Sequence, residues 1–315
     1  MGISKRGKAI VIVGPTSSGK TELSLRLAKK FNGVIISADS RQIYKEMDVA
    51  TAKTTRDQQR GIPHYMIDII NPDEEFNLVH YQSTVNNLLR SIAEDNLKRS
   101  QPIIPFIVGG TGLYIKAIID GYQLPAVPPN PALRTHLEQF STEELAQQLK
   151  QLDPATKVDL HNKRRLVRAL EIFKTRQAPA YAPHAREQAG QERPAPLQPL
   201  DYDFLQIGIS RPRPEIKQRI VDKITEMYKH GLVKETKKLL ARGYDFTKPA
   251  FSAHGYRHIR DYLQHKITLR EALSRMGQDT SRYAKRQMTW FKADPRIHWI
   301  QSPIEAEKLI ATFLR

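Results

Sequence analysis

The 315-residue chain has no cysteine. Disulfides, thiolate metal sites and cysteine nucleophiles are therefore excluded, and the composition suits a reducing compartment. No apolar run approaches the ~20 residues that a membrane helix needs, so no membrane partner is expected. The opening MGISKRGKAIVIVG is basic and then apolar, like a secretory leader. Its apolar part is short and runs into a glycine-rich loop, so it reads as a first strand, and a cytoplasmic protein is the default expectation. Negative charge is also scarce: 33 Asp and Glu stand against 50 Lys and Arg, a net charge of +17. Such an excess favours a polyanionic partner, because Lys and Arg neutralise phosphates and release their counterions.

Hydrophobic residues make up 40% of the chain and charged residues 26%, which suits a soluble protein with a core. The length allows one large domain or two modest ones. Residues 9–13 (AIVIV), 34–39 (VIISAD), 63–70 (PHYMIDII) and 103–108 (IIPFIV) are short apolar runs that read as strands. Helical spacing covers about Lys20–Lys30 and residues 79–98. Strands alternating with helices imply a parallel sheet covered by helices. The character changes at LPAVPPNP (124–131), whose four prolines mark a linker or domain edge. Residues 131–176 are helical, residues 177–200 carry five prolines and six alanines and read as a loop, and DFLQIGIS (203–210) reads as a strand returning to the first sheet. Residues 214–292 are helical again. The expected organisation is an α/β core of residues 1–122 and about 201–315, with helices at its C-terminal end and a mainly helical insertion at about 123–200.

The sharpest motif is GPTSSGKT at residues 14–21, which fits G-x-x-x-x-G-K-[ST] between a strand and a helix. Gly14 and Gly19 let backbone N–H groups turn inward around phosphate oxygens, with Pro15, Thr16, Ser17 and Ser18 forming the arc. Lys20 adds a point charge, Thr21 offers a hydroxyl to Mg²⁺, and the helix N-terminus adds its positive end. The motif alone does not say whose phosphates are held. A phosphate-loop ATPase has an apolar strand ending in Asp that holds Mg²⁺ through water. Here IIPFIV ends in Gly109-Gly110-Thr111, without an Asp.

Asp39 ends a neighbouring strand instead. In a parallel sheet the carboxyl ends of the strands face the ligand crevice, so Asp39 projects towards whatever the loop binds. It could abstract a proton or hold Mg²⁺. It could equally cap a following helix, a common use of Asp.

Positive charge is concentrated. Residues 163–176 (KRRLVRALEIFKTR) have six basic residues and one acidic, residues 211–242 have ten and four, and residues 250–292 have nine and three. Solvated helix faces usually mix signs to gain i,i+4 pairs. Faces of one sign, interleaved with Tyr256, Tyr283 and Trp290, fit RNA, whose phosphates position the protein and whose exposed bases stack. A merely basic surface with Tyr283 and Trp290 as core residues is the plainer alternative.

The blocks GPTSSGKT, SADSRQIY, DVATAK, PHYMID, GGTGLYIKA, NKRRLVRALEIF, AHGYRH and YAKRQMTWF follow one another between about residues 9 and 292. In that order the chain resembles the tRNA dimethylallyltransferases. The resemblance implies a phosphate-loop NTPase-like core with a helical insertion that grips the anticodon stem-loop. It implies transfer of a dimethylallyl group from dimethylallyl diphosphate to N6 of the adenosine just 3′ of the anticodon, in tRNAs reading codons that begin with U. Mg²⁺ would be the cofactor, near Thr21, and a monomer the working unit. Carried over position by position, Gly14–Thr21 look like the holder of the donor diphosphate, with Lys20, Thr21 and Arg213 assisting it and Asp39 as general base. The positions that look like tRNA contacts are Asp39, Ser40, Arg41, Gln42, Thr111 and Arg134. They continue with Arg164, Arg165, Leu166, Val167 and Arg168, and with Ser252, Ala253, His254, Gly255, Tyr256 and Arg257. Lys285, Arg286, Gln287, Met288, Thr289, Trp290, Phe291 and Lys292 complete the set. The chain departs from the family pattern at TRQAPAYAP (175–183), FNLVHYQ (76–82) and His258.

Two other readings compete. A phosphate-loop kinase or ATPase acting on RNA or a nucleotide would turn over ATP. A non-catalytic RNA-binding module would bind tRNA and leave it unchanged. Prenylation of free adenine nucleotides fits less well, because a mononucleotide needs no extended basic surface.

Overall fold

The computed structural model describes residues 6–125, 127, 129–177 and 200–315. The run AIVIV lies in β1 (Gly7–Val13), and every one of its residues is buried. A fully apolar strand is stable only where both faces are covered, which marks the centre of a parallel sheet. The sheet has six parallel strands in the order β3-β2-β4-β1-β5-β6. β2 is Gly33–Ala38, β3 His64–Tyr65, β4 Ile104–Gly109, β5 Tyr202–Ile209 and β6 His298–Ile300. β5 returns from beyond the insertion to pair with β1, Gly7 opposite Tyr202 and Val13 opposite Gly208.

Helices cover both faces. On one, α1 (Lys20–Lys30) and the C-terminal α12 (Pro303–Leu314) bury Leu23, Leu27 and Ile310 against Ile10, Ile12 and Phe106. On the other, α3 (Leu78–Asn96) and α4 (Gly112–Ile119) bury Tyr81, Val85, Leu89 and Ile115 against Val11, Val13 and Ile107. A short α2 (Arg56–Gln59) precedes β3.

Four α-helices lie between β5 and β6: α8 (Arg213–Lys229), α9 (Leu232–Ala241), α10 (His254–Leu263) and α11 (Leu269–Lys292). They close a second core with the loop after β2, in which Ile43, Tyr44 and Met47 pack with Ile220, Leu232, Phe251 and Tyr256. Thr268 starts α11 with a capping box: it accepts the Glu271 N–H, and the Glu271 carboxylate accepts its own.

The chain divides into two compact units, Met1–Tyr122 with Pro199–Arg315, and Gln123–Gln198. In the second unit α5 (Pro131–Leu137), α6 (Thr142–Leu152) and α7 (Lys163–Gln177) bury Leu137, Leu145, Leu149, Leu166, Val167 and Leu170 together. Ala126 and Pro128 of the proline-rich linker lie outside the described residues. So do 178–199, which hold most of the expected loop and of the 175–183 departure.

Two elements differ from the sequence reading. The run 63–70 yields only the two-residue β3, because Met66 and Asp68 take left-handed backbone (φ +63° and +55°) that ends a ladder. The C-terminal part is not purely helical: the three-residue β6 extends the sheet beside β5. No helix among the described residues is long and apolar enough to cross a membrane.

Candidate active site

β1 delivers the chain into the glycine-rich loop at the carboxyl edge of the sheet. Gly14 takes φ +150°, and a Cβ there would lie 2.9 Å from Ser18 Oγ and 3.1 Å from the Ile209 carbonyl. Gly19 takes φ +97° and opens α1 directly. Ser17 is left-handed as well (φ +63°), a costly state that persists where surrounding structure enforces it. Ser17 Oγ and Ser18 Oγ are buried without a hydrogen-bond partner. Orphaned hydroxyls beside the unsatisfied first amides of a helix suit an anion.

Lys20 lies back along the loop, its Nζ donating to the carbonyls of Gly14 (3.0 Å) and Pro15 (2.7 Å). Burial, reinforced by the charge of Lys223, lowers its pKa to about 7, while Asp39 pulls the other way. Lys223, from α8, is likewise lowered by burial and partly restored by Asp39. An anion bound beside Lys20 and Lys223 would favour the charged form of both.

Asp39 follows β2 directly. Its Oδ1 accepts the Arg41 N–H at 2.9 Å, which closes a turn. No helix starts there: the next, α2, begins at Arg56 and is capped by Thr55. The helix-cap alternative for Asp39 therefore does not apply. Asp39, the phosphate loop, Lys223 and Arg219 line one cavity of about 570 Å³, with Ile220, Ile224, Met227 and Met276 as an apolar wall. A charged end, a carboxylate and a greasy side in one chamber suit a reagent that carries both phosphate and hydrocarbon.

Two side chains hold the loop from outside it. Gln287 of α11 accepts the Thr16 N–H (2.8 Å) and donates to the Gly110 carbonyl (2.9 Å). Arg211 donates to the Ser18 carbonyl (2.7 Å) and pairs with Glu215. Arg213, the arginine expected at the diphosphate, lines a different cavity with Pro15, Arg211 and Lys285. Sequence reading missed Lys223, Arg219 and Arg211, because nothing in a chain of basic helices says which cation turns inward.

The loop after β2 is fixed from several directions. Gln42 donates to the carbonyls of Thr51 and Ala52, and Thr111 Oγ1 accepts the Ser40 N–H. Lys53 of DVATAK is buried and bonds the Tyr44 carbonyl, Asp48 and Asp68. Glu235 of α9 accepts three successive amides, Asp48, Val49 and Ala50, and the Tyr256 hydroxyl.

The expected tRNA contacts divide by exposure. Arg164, Arg165, Ser252, Arg257, Lys285, Arg286, Thr289, Trp290 and Lys292 are exposed. Leu166 and Val167 are buried in the second unit's core, and Tyr256 and Phe291 in the first unit's, so these side chains are turned away from a partner on the surface, whereas the buried Gln287 lines the Asp39 cavity. Ala253 and Gly255 are buried too, and both line the Asp39 cavity; Met288 is half-buried. Of His254 only the backbone, at the start of α10, is described. Arg134 and Arg168 both bond the fully buried Glu171. No cluster of three or more His, Asp or Glu able to hold a metal occurs among the described residues. Mg²⁺ there would need oxygens from a bound phosphate beside Thr21, a hard-oxygen set that suits it.

Comparisons with known proteins show the family. The family model for IPP transferase matches residues 42–294, and that for isopentenyl transferase matches residues 7–69. The chain is 41% identical over 297 residues to the tRNA dimethylallyltransferase of Halothermothrix orenii, covering 92% of this chain and 86% of that one. It is 40% identical over 305 residues to the enzyme of the same name from Carboxydothermus hydrogenoformans, covering 95% and 93%. Among solved structures, the tRNA isopentenylpyrophosphate transferase of Bacillus halodurans superposes with a TM-score of 0.70 at 34% identity, over 98% of this chain and 97% of that one. A eukaryotic dimethylallyltransferase acting on tRNA gives 0.72 at 26% identity, over 93% and 73%.

Proposed function

Because the chain belongs to the IPP transferase family, we propose that it is the enzyme transferring a dimethylallyl group from dimethylallyl diphosphate to tRNA. The acceptor is N6 of the adenosine 3′-adjacent to the anticodon, in tRNAs reading codons that begin with U. The observation that carries this reading is the shared cavity: a phosphate loop, the half-buried Lys20 and Lys223, the Asp39 carboxylate and an apolar wall, with no acid at the end of β4.

The adenine amine is a weak nucleophile, since its lone pair is delocalised into the ring. Two things must therefore happen together. The C–O bond of the donor breaks and its electrons leave with the diphosphate, which Lys20, Lys223 and the amides of the loop stabilise. The new bond forms between N6 and the allylic carbon, and the N6 proton passes to Asp39. The apolar wall of Ile220, Ile224 and Met276 receives the hydrocarbon and keeps water from the allylic centre. Thr21, with the donor's own oxygens, would hold Mg²⁺, which would supply further neutralisation of the leaving group. The base must leave its stack to reach Asp39, and the exposed cations of α7 and α11 supply phosphate contacts that position the RNA. No phosphoryl group moves, so the missing acid after β4 follows from the chemistry. The reading places the enzyme in the cytoplasm with its tRNA, as a monomer, since one chain supplies every group named.

The test incubates the protein with labelled dimethylallyl diphosphate, Mg²⁺ and unmodified tRNA, without ATP. Label in the tRNA and release of pyrophosphate are expected. Unlabelled tRNA together with turnover of added ATP would favour a kinase or ATPase instead.

A further inference from the structure

Glu235 is a half-buried acid on α9 that does not line the Asp39 cavity. Both of its carboxylate oxygens are nevertheless engaged. Oε2 accepts the amides of Asp48 and Val49 at 2.9 and 2.8 Å, and Oε1 accepts the Ala50 amide at 3.1 Å and the Tyr256 hydroxyl at 2.8 Å. Successive amides turned to one point form a nest that favours an anion, and Glu235 supplies that anion from within the protein. An amide of the same shape cannot replace it. A glutamine has one acceptor oxygen, so in either orientation its NH₂ would face at least one backbone N–H.

The turn held in this way belongs to the cavity. Ala50 and Thr51 line it. Gly255, next to Tyr256, approaches so closely that a Cβ there would lie 3.0 Å from the Ala50 Cβ. The carbonyls of Thr51 and Ala52 accept Gln42 Nε2 at 3.4 and 3.3 Å, and Gln42 Oε1 accepts the Ser37 hydroxyl at 3.1 Å. These two carbonyls decide which end of the Gln42 amide is nitrogen, because a flipped amide would set oxygen against oxygen. Gln42 lines the same cavity as Asp39, on the same short stretch of chain. Contacts therefore run without a break from the Glu235 carboxylate to the 48–50 amides, through the carbonyls of Thr51 and Ala52, to the Gln42 side chain.

We propose that Glu235 is a positioning residue for the transfer reaction, acting through the 48–52 turn to hold Gln42 in the cavity wall where the acceptor base meets Asp39. The inference rests on the reading of that cavity as the place where Asp39 takes the proton of the tRNA amine. Glu235 touches neither substrate; it sets where Gln42 stands.

The test is a double-mutant cycle of Glu235→Gln and Gln42→Ala in the full-length protein. In each variant kcat/KM for tRNA is measured at saturating donor, together with KM for dimethylallyl diphosphate. Glu235→Gln should lower kcat/KM for tRNA about tenfold or more, the effect of leaving backbone amides against an NH₂. The donor KM should stay within about twofold of wild type, since the phosphate loop and its lysines are untouched. In the Gln42→Ala background the same change should lower kcat/KM less than about twofold further, because the group it acts through is gone. A general structural defect would instead multiply the two losses and raise the donor KM in step. Either of those results overturns the inference, as does transfer at the wild-type rate by either single variant. Glu235→Asp, which keeps the charge but falls one methylene short of the turn, takes the place of the glutamine variant if that one does not fold. A wild-type protein that leaves tRNA unlabelled overturns the transferase reading and the inference with it.

Discussion

Replacing Glu171 by alanine should open the helical insertion. Glu171 is the single acid in KRRLVRALEIFKTR, and its side chain is fully buried. It accepts the Asn130 N–H at 2.6 Å, two bonds from the Arg134 guanidinium at 2.9 Å each, and one from Arg168 at 2.5 Å. Breaking a buried ion pair from one side costs about 3–5 kcal/mol, because the partner charges stay behind. The Arg134 and Arg168 side chains are 39% and 35% exposed and can rehydrate, which puts the loss near the lower end. A unit of this size holds only about 4–11 kcal/mol of stability. A loss of about 3 kcal/mol raises the open population roughly a hundredfold. Hydrogen exchange on the full-length variant should therefore speed up in α5 and α7 while β1 and β4 keep their protection. Burial alone would raise the Glu171 pKa, but the bonds from Arg134, the Asn130 amide and Arg168 outweigh it and hold the carboxyl below its ordinary range. A carboxyl lowered by folding stabilises fully above its unfolded pKa of about 4.3 and loses that contribution as pH falls through the lower native value. In wild type, protection of α5 and α7 should accordingly fall in that acid window, and the alanine variant should lack the transition. Unchanged exchange in α5 and α7 on removing the carboxylate would refute the reasoning.

Lys223→Met should raise the KM for the donor about tenfold to a hundredfold, the worth of a charge-assisted contact, with Lys223→Arg milder. Equal steady-state constants in methionine variant and wild type would remove Lys223 from the diphosphate site. Replacing Arg164 and Arg165 together by alanine should flatten the dependence of log affinity for tRNA on log salt by about 1.5, without changing thermal stability, since both are exposed. An unchanged slope would move the RNA footprint elsewhere. Gly110→Ala should displace Gln287, whose Nε2 lies 2.1 Å from the new Cβ position, and lower kcat/KM for the donor by at least about tenfold; wild-type kinetics would show that the Gln287 tie is dispensable.

The parts legible in the sequence were those that declare themselves locally. GPTSSGKT fixes its own backbone through Gly14 and Gly19, and AIVIV can only be a buried strand. Asp39 could be placed at the right edge because every strand of a parallel sheet ends there. What stayed hidden depended on distant segments meeting. Gln287 reaches Thr16 across 271 positions, and Arg211 reaches Ser18 across 193. The same run that looked uniformly basic also hid a division of labour. Arg168 turns to Glu171 while Arg164 and Arg165 face solvent, a difference set by helix phase and by one acid. β3 fell short because Met66 and Asp68 turn left-handed, and β6 was missed because three residues between two polar turns carry no period to read.

The central claim is that the loop holds a leaving group and Asp39 takes the proton of the attacking amine. Single-turnover transfer by Asp39→Asn, with tRNA affinity measured on the same protein, tests it most directly. General-base catalysis is worth about 10²–10⁴-fold. The account predicts a loss of transfer rate in that range with tRNA affinity within a few-fold of wild type. Transfer at the wild-type rate, or loss of tRNA binding in step with transfer, would contradict it.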